Sequence, residues 1–485
     1  MTANFLTDFS DRISPMLVKE LRQGMRARTF IVVFLSLQIF LAVMLLSAGL
    51  AGTSDQVGSM ISGVIFTFFS ITVVLIQPLR GTGALAVEIK GNTIDMMVLT
   101  RLSAWRIVFG KWVAIVSQSA LLLTTIIPYL ILRYFFGGMN LISEIAWLLI
   151  LFFTSMGLTA VTVGLSGCRS VIVRSLLPVF GIPILLWSML VMSFSMGMGG
   201  SRGFASALAF DSKEAYIGVA AYLASVAYLG YNMLSLGASL IAPAAENHSL
   251  PRRLAALILV MILLPLGLLN VIDEGILVTL MAVICVPAIL LALTDSAMLV
   301  PTVCKKFVKA GWIGRIAGRF FYPCWSSGIL FTLLISLLAL LSICIVDFPD
   351  RGFGEIFDVD EWVVLLSLLG SMFFPSVWQV FLFRGEGQRL AHYLLLLVGS
   401  YVILGVLTAL SGAMNNGVFL WFFAWNPLAY LPMLIQKTAS EGVILGAVIL
   451  LDLLLAFILL VKATTEIKRS APVIEETKNT HQSAG

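Results

Sequence analysis

The sequence predicts an all-α integral membrane protein of about twelve transmembrane helices. Three observations carry that prediction: 60% of the 485 residues are hydrophobic, only 11% are charged, and the mean hydropathy is +1.03. A soluble globule of this length cannot hide so much apolar surface. Backbone groups inside hydrocarbon find no water, so spanning segments are helices or closed barrels. Uninterrupted apolar runs of roughly 20 residues, rather than alternating strands of about ten, decide for helices. The net charge of +5 is modest, and no basic run interleaved with aromatics points to nucleic acid.

The first 28 residues form a cytoplasmic amphipathic segment. Pro15 suits a first helical turn, and Lys19, Arg22, Arg26 and Arg28 place the N-terminus inside. These residues are too many and too mixed for a signal peptide, so the first apolar run reads as a retained anchor. Spans follow over 29–50 and 57–79. A polar cytoplasmic loop, 80–112, interrupts the apolar pattern, and then come spans over 113–136, 145–165, 175–195 and 216–241. Arg169 and Arg174 mark an inside loop, and a Met, Gly and Ser-rich stretch over 196–214 lies outside.

A second membrane half covers 244–463. Its spans are expected over 254–272 and 276–300, in a ninth ending near Val346, and over 362–383, 394–410 and 442–461. The basic loop holding Lys305, Lys306, Lys309, Arg315 and Arg319 is cytoplasmic by the charge bias, and the acidic cluster from Asp347 to Glu361 is external. Residues 418–435 are apolar enough to span but contain Asn426, Pro427 and Pro432. Counting them as a span would put Lys462, Lys468 and Arg469 outside, so they read as a re-entrant or surface segment. Both termini are then cytoplasmic, and 464–485 reads as a disordered tail.

Little in this sequence supports catalysis. Five scattered cysteines (Cys168, Cys285, Cys304, Cys324 and Cys344) give no disulfide framework and no zinc spacing. His248, His392 and His481 are far apart and read as solvated or headgroup-level side chains. No Gly-x-x-x-x-Gly-Lys-Ser/Thr loop occurs, since Trp105 stands where its first Gly would be and Trp112 follows Gly110-Lys111. No enzyme chemistry, cofactor or metal is therefore expected of this chain. Asp452 is the one carboxylate near the centre of an expected span. A buried charge in lipid is expensive, so it either serves a coupling ion or substrate or makes a structural hydrogen bond between helices.

The stretch 88–111 says most. Its apolar residues Ile94, Met97 and Val98, then Trp105, Val108, Phe109 and Trp112, fall on helical spacings. That pattern predicts two short helices along the membrane surface with Thr93 and Ser103 as N-caps. Its residue order resembles the cytoplasmic loop between the second and third spans of ABC-2 type permeases, the membrane subunits of a class of ATP-binding-cassette exporters. The matching residues are Glu88, Thr93, Asp95, Met96 to Leu99, Thr100, Leu102, Ser103, Ile107, Gly110 and Lys111, with Asn92 where Gly is usual and Arg101 where Pro is usual. Pro15, Glu20, Arg26 and Arg28 resemble that family's N-terminal interface helix.

The resemblance covers about the first 240 residues. It implies a six-helix permease domain over 29–243, a coupling loop that includes Arg106 and docks on a separate ATPase subunit, and export across a prokaryotic cytoplasmic membrane. If the second half is itself a permease unit, one chain lines the path. Otherwise it pairs as a homodimer or with a second permease chain. Two other classes fit twelve spans: an ion-coupled secondary transporter using Asp452 and a non-transporting membrane scaffold.

Overall fold

A computed structural model describes residues 15–51, 55–91, 103–135, 141–197, 212–243, 245–295, 299–355, 359–383, 389–414 and 417–483. Every regular element among them is helical. Among the described residues, eleven helices are long and apolar enough to cross a membrane. Their outer faces carry large apolar side chains such as Leu46, Leu450 and Phe457, each about two-thirds exposed or more. Such a surface is stable against acyl chains and not against water. The protein is a multi-pass membrane protein.

The chain forms two compact units, residues 1–242 and 243–485. In the first, the amphipathic helix α1 (Pro15–Arg26) is followed by α2 (Arg28–Ala51). Next come α3 (Asp55–Ser70), a π-helical turn over Ile71–Ile76, α4 (Gln77–Gly81) and α5 (Ala86–Lys90). α6 (Ala104–Tyr134) begins well before the span expected from residue 113. The expected second surface helix is therefore the first turns of a membrane helix. Ile107, Val108 and Ala104 are buried, which continues the helix rather than laying it flat. Residues 92–102, which hold the other expected surface helix, lie outside the described residues.

α7 (Leu141–Ser166) and α10 (Lys213–Ile241) make the closest packing of this unit. A side chain on Gly164 would collide with the Met233 backbone carbonyl, and a Cβ on Gly237 would lie 2.9 Å from the Gly164 Cα. Small residues let helix backbones approach where lipid supplies no hydrophobic drive. Between them in sequence run α8 (Val171–Leu176), a π turn over Leu177–Gly181 and α9 (Ile182–Gly197). Pro178 sits in that turn and cannot donate a backbone hydrogen bond. The expected fifth span thus appears as a broken helix whose apolar part, Ile182–Ser193, is shorter than the eleven candidate spans. Phe66, Phe69, Leu122, Ile126, Trp147 and Leu151 form the core. Trp147 Nε1 donates to Ser193 Oγ at 3.1 Å, and Ser193 Oγ lies 3.1 Å from Ser70 Oγ, so α3, α7 and α9 share one polar tie.

The second unit holds α11 (Ser249–Leu268) and α12 (Glu274–Thr294), a hairpin of short helices, and the long α15 (Trp325–Glu355). The hairpin is α13 (Pro301–Lys309) and α14 (Gly311–Phe321). Gly311 turns it with φ +72°, a left-handed conformation that a side chain would disfavour. α16 (Val359–Leu382) and α17 (Arg389–Met414) follow.

No helix within residues 418–435 is long enough to cross a membrane. These residues break into α18 (Val418–Trp421), a 3₁₀ turn over Pro427–Ala429 and α19 (Tyr430–Ile435), as Pro427 and Pro432 require. Phe423, Tyr430 and Met433 pack there against Val363, Ile444 and Val448.

α20 runs without a break from Glu441 to Ser483. The tail expected to be disordered is helical to residue 483. Ala463, Ile467, Ser470, Ile474 and Thr477 fall on one helix face and are buried or half-buried, and Ile474 packs on the cluster of Val303, Cys304 and Tyr322.

Candidate functional site

In the first unit, α1 lies along the start of α6, with Gly24 against the Gln118 side chain. There Lys111 Nζ is 3.0 Å from Glu20 Oε1 and 3.1 Å from Glu88 Oε1. The Lys111 side chain is only 8% exposed and the two carboxylates 16% and 17%. One cation between two anions, largely out of water, interacts more strongly than a surface pair. It binds three pieces of chain: α1, the end of the second span and the start of the third.

Two helical turns further along α6, Arg80 donates to Gln77 Oε1 at 3.2 Å and to Gln118 Oε1, and its guanidinium stands 5.8 Å from the Phe30 ring centre. Trp112 Nε1 donates to the Met156 carbonyl at 3.0 Å, which fixes α6 to α7. These contacts tie α1, α4, α6 and α7 to one another.

Of the expected coupling residues, Glu20, Glu88 and Lys111 come together here. Ser103 precedes α6, and its carbonyl accepts from the Arg106 and Ile107 amides at 3.0 and 3.3 Å. Gly110 is buried beside Lys111, whereas Arg106, Arg26 and Arg28 are exposed and join no part of the ionic junction. Thr93, Asp95 and Thr100 lie outside the described residues. Arg80, Gln77 and Gln118 are not singled out by the sequence: Gln77 and Gln118 sit inside expected spans, and Arg80 stands at the first position of the expected loop.

Comparison with family models, curated proteins and solved structures finds no match.

The first unit also has a cleft of about 420 Å³ lined by Trp147, Ile150, Met189, Glu214, Val219 and Tyr222. Its mouth is framed by Ser212, which caps α10 by accepting from the Ala215 amide. Tyr222, which lines the cleft, has its hydroxyl 2.5 Å from that of Thr154. An apolar wall with a few convergent hydroxyls suits an amphipathic small molecule.

The second unit has its own ionic clamp. Asp295, just past the end of α12, receives Arg252 at 3.0 Å and Arg253 at 2.7 Å. Arg253 also donates to the carbonyls of Phe320 and Tyr322 at 2.6 and 2.9 Å. Both arginines are nearly fully buried. The sequence shows Arg252 and Arg253 as topology markers, but Asp295 is hidden at the end of an apolar run.

All five cysteines are free. Burial pushes the Cys168 thiol up to about 12, partly countered by the charge of Arg174. Burial likewise raises Cys304, to about 11, and Tyr322 beside it. His248 pairs with Glu246 at 2.9 Å. His392 is not simply solvated: its ring stacks on Phe383 at 4.0 Å. Among the described residues no three His, Cys, Asp or Glu side chains gather as metal ligands. Asp452 lies mid-helix in α20, 8% exposed, at a distance from both clamps in the sequence and against Gly370 of α16.

Proposed function

We propose that this chain is the membrane subunit of an ABC-2 type exporter of a prokaryotic cytoplasmic membrane, driven by ATP hydrolysed on a separate ATPase subunit. The observation that carries the reading is Lys111 held between Glu20 and Glu88. Work done by an ATPase on the cytoplasmic surface reaches a transport path only through a stiff connection. The ion triad, Gln118 against Gly24 and Arg80 on Gln118 supply one between α1, the loop ends and the third span. Exposed Arg106 stands on the first turn of α6 beside that junction, free of the packing core, as a docking residue should. The cleft at Tyr222 is the substrate-sized space of the same unit.

The test is co-purification from the native membrane with a nucleotide-binding ATPase subunit. Arg106→Glu is expected to reduce recovery of the ATPase at least tenfold while the permease still inserts. Undiminished recovery, or the absence of any nucleotide-binding partner, overturns the reading. An ion-coupled carrier is the second reading, favoured by the buried Asp452. It predicts transport that continues without any ATPase and stops in Asp452→Asn.

A further inference from the structure

Asp452 occupies the middle of the apolar part of α20, about 16 Å along the helix from Glu441 and about 15 Å from Lys462 at 1.5 Å per residue. Both of its carboxylate oxygens are buried and have no hydrogen-bond partner among the described residues. A methyl group on Gly370 would collide with Asp452 Oδ1 and would lie 2.7 Å from Pro427 Cγ. The carboxyl, the α16 backbone at Gly370 and the turn at Asn426-Pro427 therefore meet at one point.

Neighbours in sequence of the residues that meet there carry buried, incompletely satisfied polar groups. Asn426 is fully buried, its Oδ1 accepts from the Leu428 amide at 3.0 Å, and its Nδ2 has no partner. Ser367, one turn from Gly370 on α16, is fully buried with an unpartnered Oγ. Ser371 on the same helix bonds to the Tyr401 hydroxyl at 3.1 Å. A carboxylate that merely tied two helices together would be hydrogen-bonded, because buried polar groups almost always are.

Among the described residues, no ion pair or hydrogen bond is present to compensate an ionised carboxylate. α15 from Trp325 to Val346 carries no charged residue, and its one titratable group is Cys344. α16 from Trp362 to Leu382 carries none, and Asp360 and Glu361 stand at its start. The broken segment offers only the Tyr430 phenol, and Tyr401 is reached only through Ser371. Lys305, Lys306, Lys309 and Cys304 of α13 meet α20 at its far end, around Ile474. Ionised, Asp452 would be an isolated charge in low dielectric, and such a group takes up a proton instead.

We propose that Asp452 is an intramembrane proton-binding site, protonated in this state and lined by Gly370, Asn426 and Ser367. Release breaks the carboxyl O–H bond and passes the proton to a water entering between α16 and the broken 418–435 segment. That leaves a carboxylate for the unpartnered Asn426 amide to donate to. Interrupted helices beside an intramembrane acid are a recurring arrangement where ions enter a bundle. The proposal holds whether or not an ATPase drives the protein.

The hydrophobic reagent dicyclohexylcarbodiimide adds to protonated carboxyls, so the full chain in detergent is treated with it and digested for mass spectrometry. The peptide carrying Asp452 is expected to gain one reagent mass at neutral pH and to lose that labelling at alkaline pH. In Asp452→Asn the adduct disappears while the melting temperature stays within a few degrees, since a neutral amide replaces a neutral acid. Infrared spectroscopy reads the same proton without reagent access, as a protonated-carboxyl band present in the wild type and missing in Asp452→Asn. Absence of both adduct and band at neutral pH overturns the proposal. Protection of Asp452 by sodium at fixed pH also overturns it, in favour of a metal-cation site.

Discussion

Lys111 does the work of a rivet, and its removal shows how much. In Lys111→Met, Glu20 and Glu88 would face one another with no cation between them, largely out of water. Leaving a buried charge unpaired is far more costly than losing a surface pair. A loss of about 2–4 kcal/mol is expected on that ground, seen as a lowered melting temperature in detergent. Combining Lys111→Met with Glu20→Gln and Glu88→Gln should recover most of it, because the repulsion goes with the charges. An unaltered melting temperature in Lys111→Met would mean that the triad carries no load.

Cys168 makes a second residue-scale case. Its pKa of about 12 follows first from burial. The thiolate is the reactive form, so at pH 8 only about one thiol in ten thousand is reactive. Maleimide labelling of Cys168 should therefore be much slower than that of half-buried Cys324, and should climb with pH throughout the alkaline range. Rapid labelling at neutral pH would show that Cys168 is not buried in the native protein. Burial is also what a single sequence conceals: Cys168 and Cys324 look alike there. The triad is a mixed case, since its residue types are visible at 20, 88 and 111, but the pairing needs α1 folded back on α6.

At the scale of elements, apolar runs locate the spans well because each helix must cover its backbone in the same solvent. Their ends are less legible. α6 starts at Ala104 because one face of 104–112 finds α5, α7 and α10 to pack against, which periodicity alone cannot distinguish from a face laid on lipid. The tail was obscured differently. Its polar composition suggests disorder, yet Ala463, Ile467, Ser470, Ile474 and Thr477 repeat at spacings of four and three.

That stripe is testable. Ile474→Asp places a charge in the cluster of Val303, Cys304 and Tyr322. A local loss of about 2 kcal/mol is expected from the burial of such a side chain, equivalent to about thirtyfold faster trypsin cleavage at Lys468, Arg469 and Lys478 if opening precedes cutting. Equal cleavage of the variant and the wild type would mean that the terminal turns do not dock.

At the scale of the molecule, each unit is furnished to stand alone. Residues 1–242 hold the Phe66 and Trp147 core and the Lys111 triad. Residues 243–485 hold the core at Leu420 and Tyr430 and the clamp of Arg252 and Arg253 on Asp295. The break falls between Ala242 and Pro243, at the end of α10, where proline cannot continue the helix. Cutting the chain there severs no helix and none of these ion pairs.

Produced as separate polypeptides, both units are expected to insert in the membrane, to resist protease under conditions in which the intact chain does, and to melt cooperatively. Lys111→Met should then lower the transition of the first piece alone, and Asp295→Ala that of the second alone, each by the shift it causes in the full chain. Asp295→Ala strands two buried guanidinium groups and should cost about 3–5 kcal/mol. If either piece is degraded unless its partner is present, the two halves fold as one cooperative body, and the ABC-2 resemblance of the first 240 residues could not then be assigned to a self-sufficient domain.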